Sequence, residues 1–131
     1  MRAIVTPLAG LLALAIVTTA YATEDQTLLS ASLSRAPGNG LEALRVTYAP
    51  GESSHPHRHD RDAYVYVLSG HIRSQVEGQL LRVFAPGESW FEPAGVLHQV
   101  SGNASDREPA TMLVIFVGPA PAQSSPRTQS R

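Results

Sequence analysis

The sequence predicts an all-β domain, a barrel or sandwich of eight or nine short strands. Three observations carry this. After Ala22 no apolar pattern of period 3.6 persists long enough for a sizeable helix. Short runs that alternate apolar and polar, or are rich in β-branched and aromatic residues, recur along the chain. Glycine and proline turn signals separate them every six to ten residues.

In chain order, Gln26 to Leu33 reads as a first strand or an N-terminal arm, and Pro37-Gly38-Asn39-Gly40 as a turn. Ala43 to Ala49 alternates, with Leu44, Val46 and Tyr48 on one face and Arg45 and Thr47 on the other. Pro50-Gly51 ends that strand and a histidine-rich stretch follows. Ala63 to Leu68, rich in Val and Tyr, reads as a strand closed by Ser69-Gly70. His71 to Val76 pairs with it, and Glu77-Gly78 turns. Gln79 to Phe84 reads as a strand ended by Ala85-Pro86-Gly87. Ser89 to Glu92 is short, Pro93-Ala94-Gly95 turns, and Leu97 to Ser101 carries His98. A polar loop runs from Gly102 to Pro109, and Thr111 to Val117 is a continuous apolar run suited to a fully buried strand.

The ends read differently from the middle. Residues 1–22 read as a secretory signal, with Arg2 as a positive start, an apolar run and Ala20-Tyr21-Ala22 as a cleavage site. The apolar run is too short for a bilayer span, which needs about 20 residues. The expectation is cleavage after Ala22 and a periplasmic or secreted protein with no membrane contact thereafter. Residues 23–40 are then an arm or first strand, 41–118 the domain, and 119–131 a Pro- and Ser-rich disordered tail. From Thr23 onward nine arginines face eleven acids, a balance of −2 that argues against a nucleic-acid partner. The chain has no lysine and no cysteine, which removes Schiff-base chemistry, thiolate ligands and disulfides. A modest core must be helped by packing, a metal or a homodimer interface.

The informative stretch is Gly51 to Gly70. His55, His57 and His59 stand at alternate positions, and alternate residues of an extended chain point the same way. His57 and His59 can therefore present two imidazoles to one point, as a chelate requires.

Two stretches resemble the pair of motifs that define cupins. Gly51 is followed by five residues, then His57-Arg58-His59, with Gly70 closing at the right distance. About fifteen residues later comes Gly87, five residues, Pro93-Ala94-Gly95, two residues and His98, with Asn103 one residue later than the motif has it. The resemblance covers about Leu41 to Val117. It implies a double-stranded β-helix, or jelly-roll barrel. It also implies one divalent transition metal (Fe, Mn, Ni, Zn or Cu) held by His57, His59 and His98.

The chain departs from the motif where cupins carry a ligating glutamate. That position falls on Ala63, or on Tyr64 with the longer spacing, and Asp62 lies on the opposite strand face. Three neutral imidazoles leave a divalent ion its full +2 charge, which favours anionic, chelating ligands. Some cupins, thiol dioxygenases and a diketone-cleaving dioxygenase among them, use three histidines without the carboxylate. The implied activity is a metal-dependent oxygenase, or a related lyase or isomerase, on a small chelating molecule. The alternatives are a non-catalytic periplasmic binding or sensor barrel, and a structural barrel working through dimerisation.

The remaining polar and aromatic residues carry weaker expectations. His55 reads as a mouth or surface residue, with a contact to the centre as the alternative, His71 as solvated, and Asp60-Arg61-Asp62 as a charged bend, with a substrate-facing rim as the alternative. Glu92 reads as a solvated strand end, with a carboxylate that orients a ligand histidine as the alternative. Trp90, Phe91, Tyr64 and Tyr66 read as core or dimer-interface aromatics, and Arg73 and Gln75 as candidates for the barrel interior.

Overall fold

The computed structural model of the protein describes residues 24–120. The predicted signal segment and the tail beyond Ala120 lie outside the described residues.

Ten strands form: β1 (Glu24–Ser32), β2 (Asn39–Tyr48), β3 (Ser53–Ser54), β4 (His57–Arg58), β5 (Asp62–Ser69), β6 (Ile72–Val76), β7 (Arg82–Phe84), β8 (Ser89–Glu92), β9 (Leu97–Asn103) and β10 (Ala110–Pro119). There is no helix among the described residues. One sheet runs β1-β2-β10-β5-β8 and the other β3-β9-β6-β7, with β4 also on β9. Every pairing is antiparallel.

Period-two alternation sets which side chains meet between the sheets. Ala63, Val65 and Val67 of β5 are buried while Tyr64, Tyr66 and Leu68 between them are exposed. Ala110, Met112, Val114 and Phe116 of β10 pack beside them, with Tyr48 of β2 and Ile72 and Phe84 from the opposite sheet. Each Val, Ile, Met or Phe among them, fully buried, contributes about 1.5–3 kcal/mol. The β5–β6 turn depends on Gly70, at φ +67°, where a Cβ would lie 2.6 Å from the Pro109 carbonyl oxygen.

Several elements differ from the sequence expectations. β6 does not pair with β5: the chain crosses at Gly70 to the other sheet, where β6 pairs with β7 and β9. The histidine stretch contributes two short strands, so there are ten rather than eight or nine. Pro56, which has no N–H for the ladder, separates β3 from β4. The strand expected from Gln79 shrinks to Arg82–Phe84, and Leu80 is 86% exposed. Arg73 is exposed and donates to Ser53 Oγ at 2.9 Å, and Gln75 turns to the Gln79 carbonyl. The inward residues of β6 are Ile72, Ser74 and Val76. β1 is exposed along all nine residues and joins the sheet by pairing with β2, so it is both a strand and an arm.

Candidate metal centre

Strand pairing brings the two histidine segments together. β4 lies antiparallel to β9 with His57 directly opposite His98. The Pro93-Ala94-Gly95 turn clasps the other end of the segment. Gly95 N–H donates to the His59 carbonyl at 2.7 Å, and Arg58 Nη1 donates to the Gly95 carbonyl at 2.7 Å. Asp62, on the outward face as expected, accepts the Ala94 N–H at 2.8 Å. Gly95 sits at φ +79°, a backbone that L side chains rarely adopt.

The three predicted imidazoles converge. His57, His59 and His98 each offer a ring nitrogen, and these atoms lie within 4.8 Å of one another. His57 Nδ1 lies 2.6 Å from the His55 carbonyl oxygen, which can only accept, so Nδ1 carries the proton. That leaves the His57 Nε2 lone pair turned to the centre, 3.1 Å from His59 Nε2. Two ligand atoms about 2.1 Å from one ion sit about 3.0–3.4 Å apart at right to tetrahedral angles, so this pair fits a shared ion. His98 is buried, with Nε2 2.9 Å from Ser74 Oγ and Nδ1 3.1 Å from Glu92 Oε1. The centre thus offers three imidazole nitrogens, a donor type suited to a divalent transition ion.

Glu92 overturns the solvated strand-end expectation and fits the alternative, a carboxylate that orients a ligand histidine. It is 5% exposed rather than solvated. Its Oε1 accepts Trp90 Nε1–H at 2.7 Å and faces His98 Nδ1, while Oε2 lies 3.5 Å from His59 Nε2. Burial works to raise its pKa, but the hydrogen bond and charge of His98, the Trp90 donor and His59 together bring it below the usual carboxylate value. The buried group is therefore a carboxylate anion held by donors. His59 moves the same way for another reason. Burial lowers its pKa and outweighs the attraction of Glu92, so the His59–Glu92 contact is a neutral imidazole beside a carboxylate.

The family profile described as the cupin domain matches residues 44–116, which span both histidine segments and β8 between them. The chain belongs to the cupin family. It is similar to the rhicadhesin receptor of Pisum sativum, 32% identical over 94 residues, covering 66% of this chain and 42% of that protein. Among solved structures it is similar to the DMSP lyase DddQ of Ruegeria pomeroyi, at 27% identity and TM-score 0.54. That match covers 60% of this chain and 38% of the lyase chain. It is also similar to a Cupin 2 conserved barrel domain protein of Salinispora arenicola, at 28% identity and TM-score 0.56, covering 72% and 74% of the two chains. This cupin thus spans well under half the length of the receptor and of the lyase.

A cavity of about 140 Å³ opens from the histidines into the cupin barrel. Leu44, Val46, Val65, Met112, Val114 and Phe116 form apolar walls. A hydroxyl cluster also lines it, where the Tyr48 hydroxyl lies 2.6 Å from Ser54 Oγ and 2.9 Å from Ser101 Oγ. An apolar cavity near 150 Å³ holds a molecule the size of benzene, so this space suits a molecule of about one ring. Asp25 of the β1 arm also contributes to the lining.

Sequence reasoning missed Ser74 and the hydroxyl cluster. The signal for Ser74 was its place between Ile72 and Val76, a polar residue on an otherwise apolar face. His55 is exposed as expected, yet its backbone carbonyl rather than its ring serves the centre. His71 is exposed, also as expected. Arg61 departs from the charged-bend reading. It pairs with Glu42 at 2.8 Å and lies 4.6 Å over the Phe116 ring. Asn103, despite its one-residue offset, is buried, donates to the Ala49 and Glu108 carbonyls and accepts Ser105 N–H. Trp90 is half-buried against Phe84, whereas Tyr64, Tyr66 and Phe91 stand exposed on the outer sheet face.

Proposed function

We propose that this cupin is a mononuclear metal enzyme of the oxygenase, lyase or isomerase type, acting on a small organic molecule that binds through its oxygen atoms. The observation that carries the reading is the convergence of His57, His59 and His98 on a small, partly open cavity. A bound divalent ion there supplies Lewis-acid polarisation of substrate oxygens.

The chain's own residues do the rest. The His55 carbonyl fixes the His57 tautomer, and Ser74 and Glu92 orient the His98 ring from its two nitrogens. The apolar walls exclude water and strengthen every polar contact inside. The Tyr48–Ser54–Ser101 hydroxyls give the substrate's remote end a hydrogen-bonding anchor. The cavity size favours a molecule with the bulk of a catechol or short diketone over a flavonol. The likeness to a DMSP lyase supports including eliminations in the search.

A non-catalytic binding barrel is the second reading. What favours it is that Glu92 is engaged with both Trp90 and His98, and so is poorly placed to carry protons for a substrate. We also propose export, with the mature chain starting at Thr23.

Metal analysis after purification without chelators tests the centre, with His98→Ala expected to lose the ion. Less than about 0.1 metal per chain, with no uptake of Fe, Mn, Ni, Zn or Cu, sinks the proposal. Oxygen consumption and product formation with catechols, short diketones and small β-substituted acids separate enzyme from binder.

A further inference from the structure

Ala63 of β5 and Glu92 of β8 are direct partners across an antiparallel pair. Residues directly opposite each other share a sheet face, with their Cβ atoms about 4.5–5.5 Å apart. Both side chains accordingly point into the barrel, at 0% and 5% exposure. The strand position where the family motif carries a carboxylate is thus occupied by a methyl group, and the space beside it by the carboxylate of the next strand.

The two oxygens of Glu92 have different surroundings. Oε1 takes both the Trp90 indole at 2.7 Å and His98 Nδ1 at 3.1 Å. Oε2 faces His59 Nε2 at 3.5 Å. That separation, like the 3.1 Å between His57 Nε2 and His59 Nε2, is close to the spacing of two donors on a single ion. A carboxylate this deeply buried is also a group that proteins keep paired with a positive charge.

We propose that Glu92 is the fourth protein ligand of the centre, supplied across the strand pair from β8 in place of the residue at position 63. The inference rests on the three-histidine reading above. It changes the chemistry of that site, because a carboxylate donor lowers the net charge of a divalent centre from +2 to +1. It also weakens the preference for anionic substrates that three imidazoles alone would impose, and so favours neutral or singly charged chelators.

The test uses Co²⁺ titrated into the metal-free full chain, reading affinity calorimetrically and the ligand set from the visible d–d bands. Glu92→Gln keeps an oxygen for Trp90 and removes the charge. It is expected to shift the bands and to weaken Co²⁺ by more than the about 10–100-fold that loss of an outer hydrogen-bond partner costs. The double variant Ala63→Glu/Glu92→Ala returns the carboxylate to β5 and is expected to recover affinity to within about tenfold of wild type. Unchanged d–d bands in Glu92→Gln overturn the proposal at any affinity, since Glu92 then only positions the histidines. A folded double variant that binds no better than Glu92→Ala overturns it as well. Failure of the underlying reading looks different: wild type itself takes up no Co²⁺, or His57→Ala binds as well as wild type.

Discussion

His57 and His98 face each other across the β4–β9 ladder, and their ring centroids lie 5.3 Å apart. Neither strand is long. The register between them is held by the Gly95–His59 backbone hydrogen bond and by Arg58, which bonds both the Gly95 carbonyl and Glu77. The centre is therefore built from backbone pairing first, with the imidazoles carried on it.

Trp90→Phe tests how firmly Glu92 is held. The ring stays against Phe84, 4.5 Å away, but the Nε1–H donor to the buried carboxylate is lost. A hydrogen bond to a charged group contributes about 1.5–3 kcal/mol, and urea unfolding of the metal-free protein is expected to register a loss in that range. An unchanged midpoint would mean that the indole does not hold the carboxylate.

Ala63→Glu alone is expected to destabilise. The site is fully buried and its cross-strand partner is already a carboxylate, so the variant combines overpacking with like-charge repulsion. Overpacking by itself costs about 1–3 kcal/mol. Thermal unfolding at pH 8 should show a lower midpoint than wild type, whereas Ala63→Glu/Glu92→Ala should regain part of the loss.

Acid should weaken the metal-free fold in two stages. The His59 pKa is lowered from 6.5 by burial, so as pH falls below about 6.5 the unfolded chain takes up a proton that the folded one resists. The Glu92 pKa is lowered from 4.5, so its contribution is present above that value and is lost as pH falls further. Both act in the same direction. Urea midpoints at pH 8, 6 and 4 should fall in that order, and His59→Gln should flatten the first step.

Arg61→Lys is expected to cost stability although it keeps the charge. The guanidinium both pairs with Glu42 at 2.8 Å and covers the Phe116 ring, and an ammonium reproduces the pair but not the planar stacking. The expected loss is about 0.5–1 kcal/mol by chemical denaturation, with Arg61→Ala costing more.

The fold was largely legible because strand alternation is local. The in–out pattern of Ala63 to Leu68 needs only the chain's own period. The histidines were legible for the same reason and because both motifs keep their spacing. For Glu92 the solvated reading came first and the histidine-orienting one second, because its burial has no local signature. It precedes a proline turn, where a solvated carboxylate is the ordinary expectation. Ser74 was legible in principle through its parity, but the starting face of β6 was not.

The amino-acid sequence by itself determined the all-β class, the turns between strands and the three imidazoles, since these follow from residue type and spacing along an extended chain. Only the tertiary structure decided which carboxylate joins them. Ala63 and Glu92 become neighbours through the register of β5 against β8, and register is a property of two segments pairing rather than of either one. Seen from the chain, position 63 lacks its acid. In the folded barrel the strand beside it brings one to the same place.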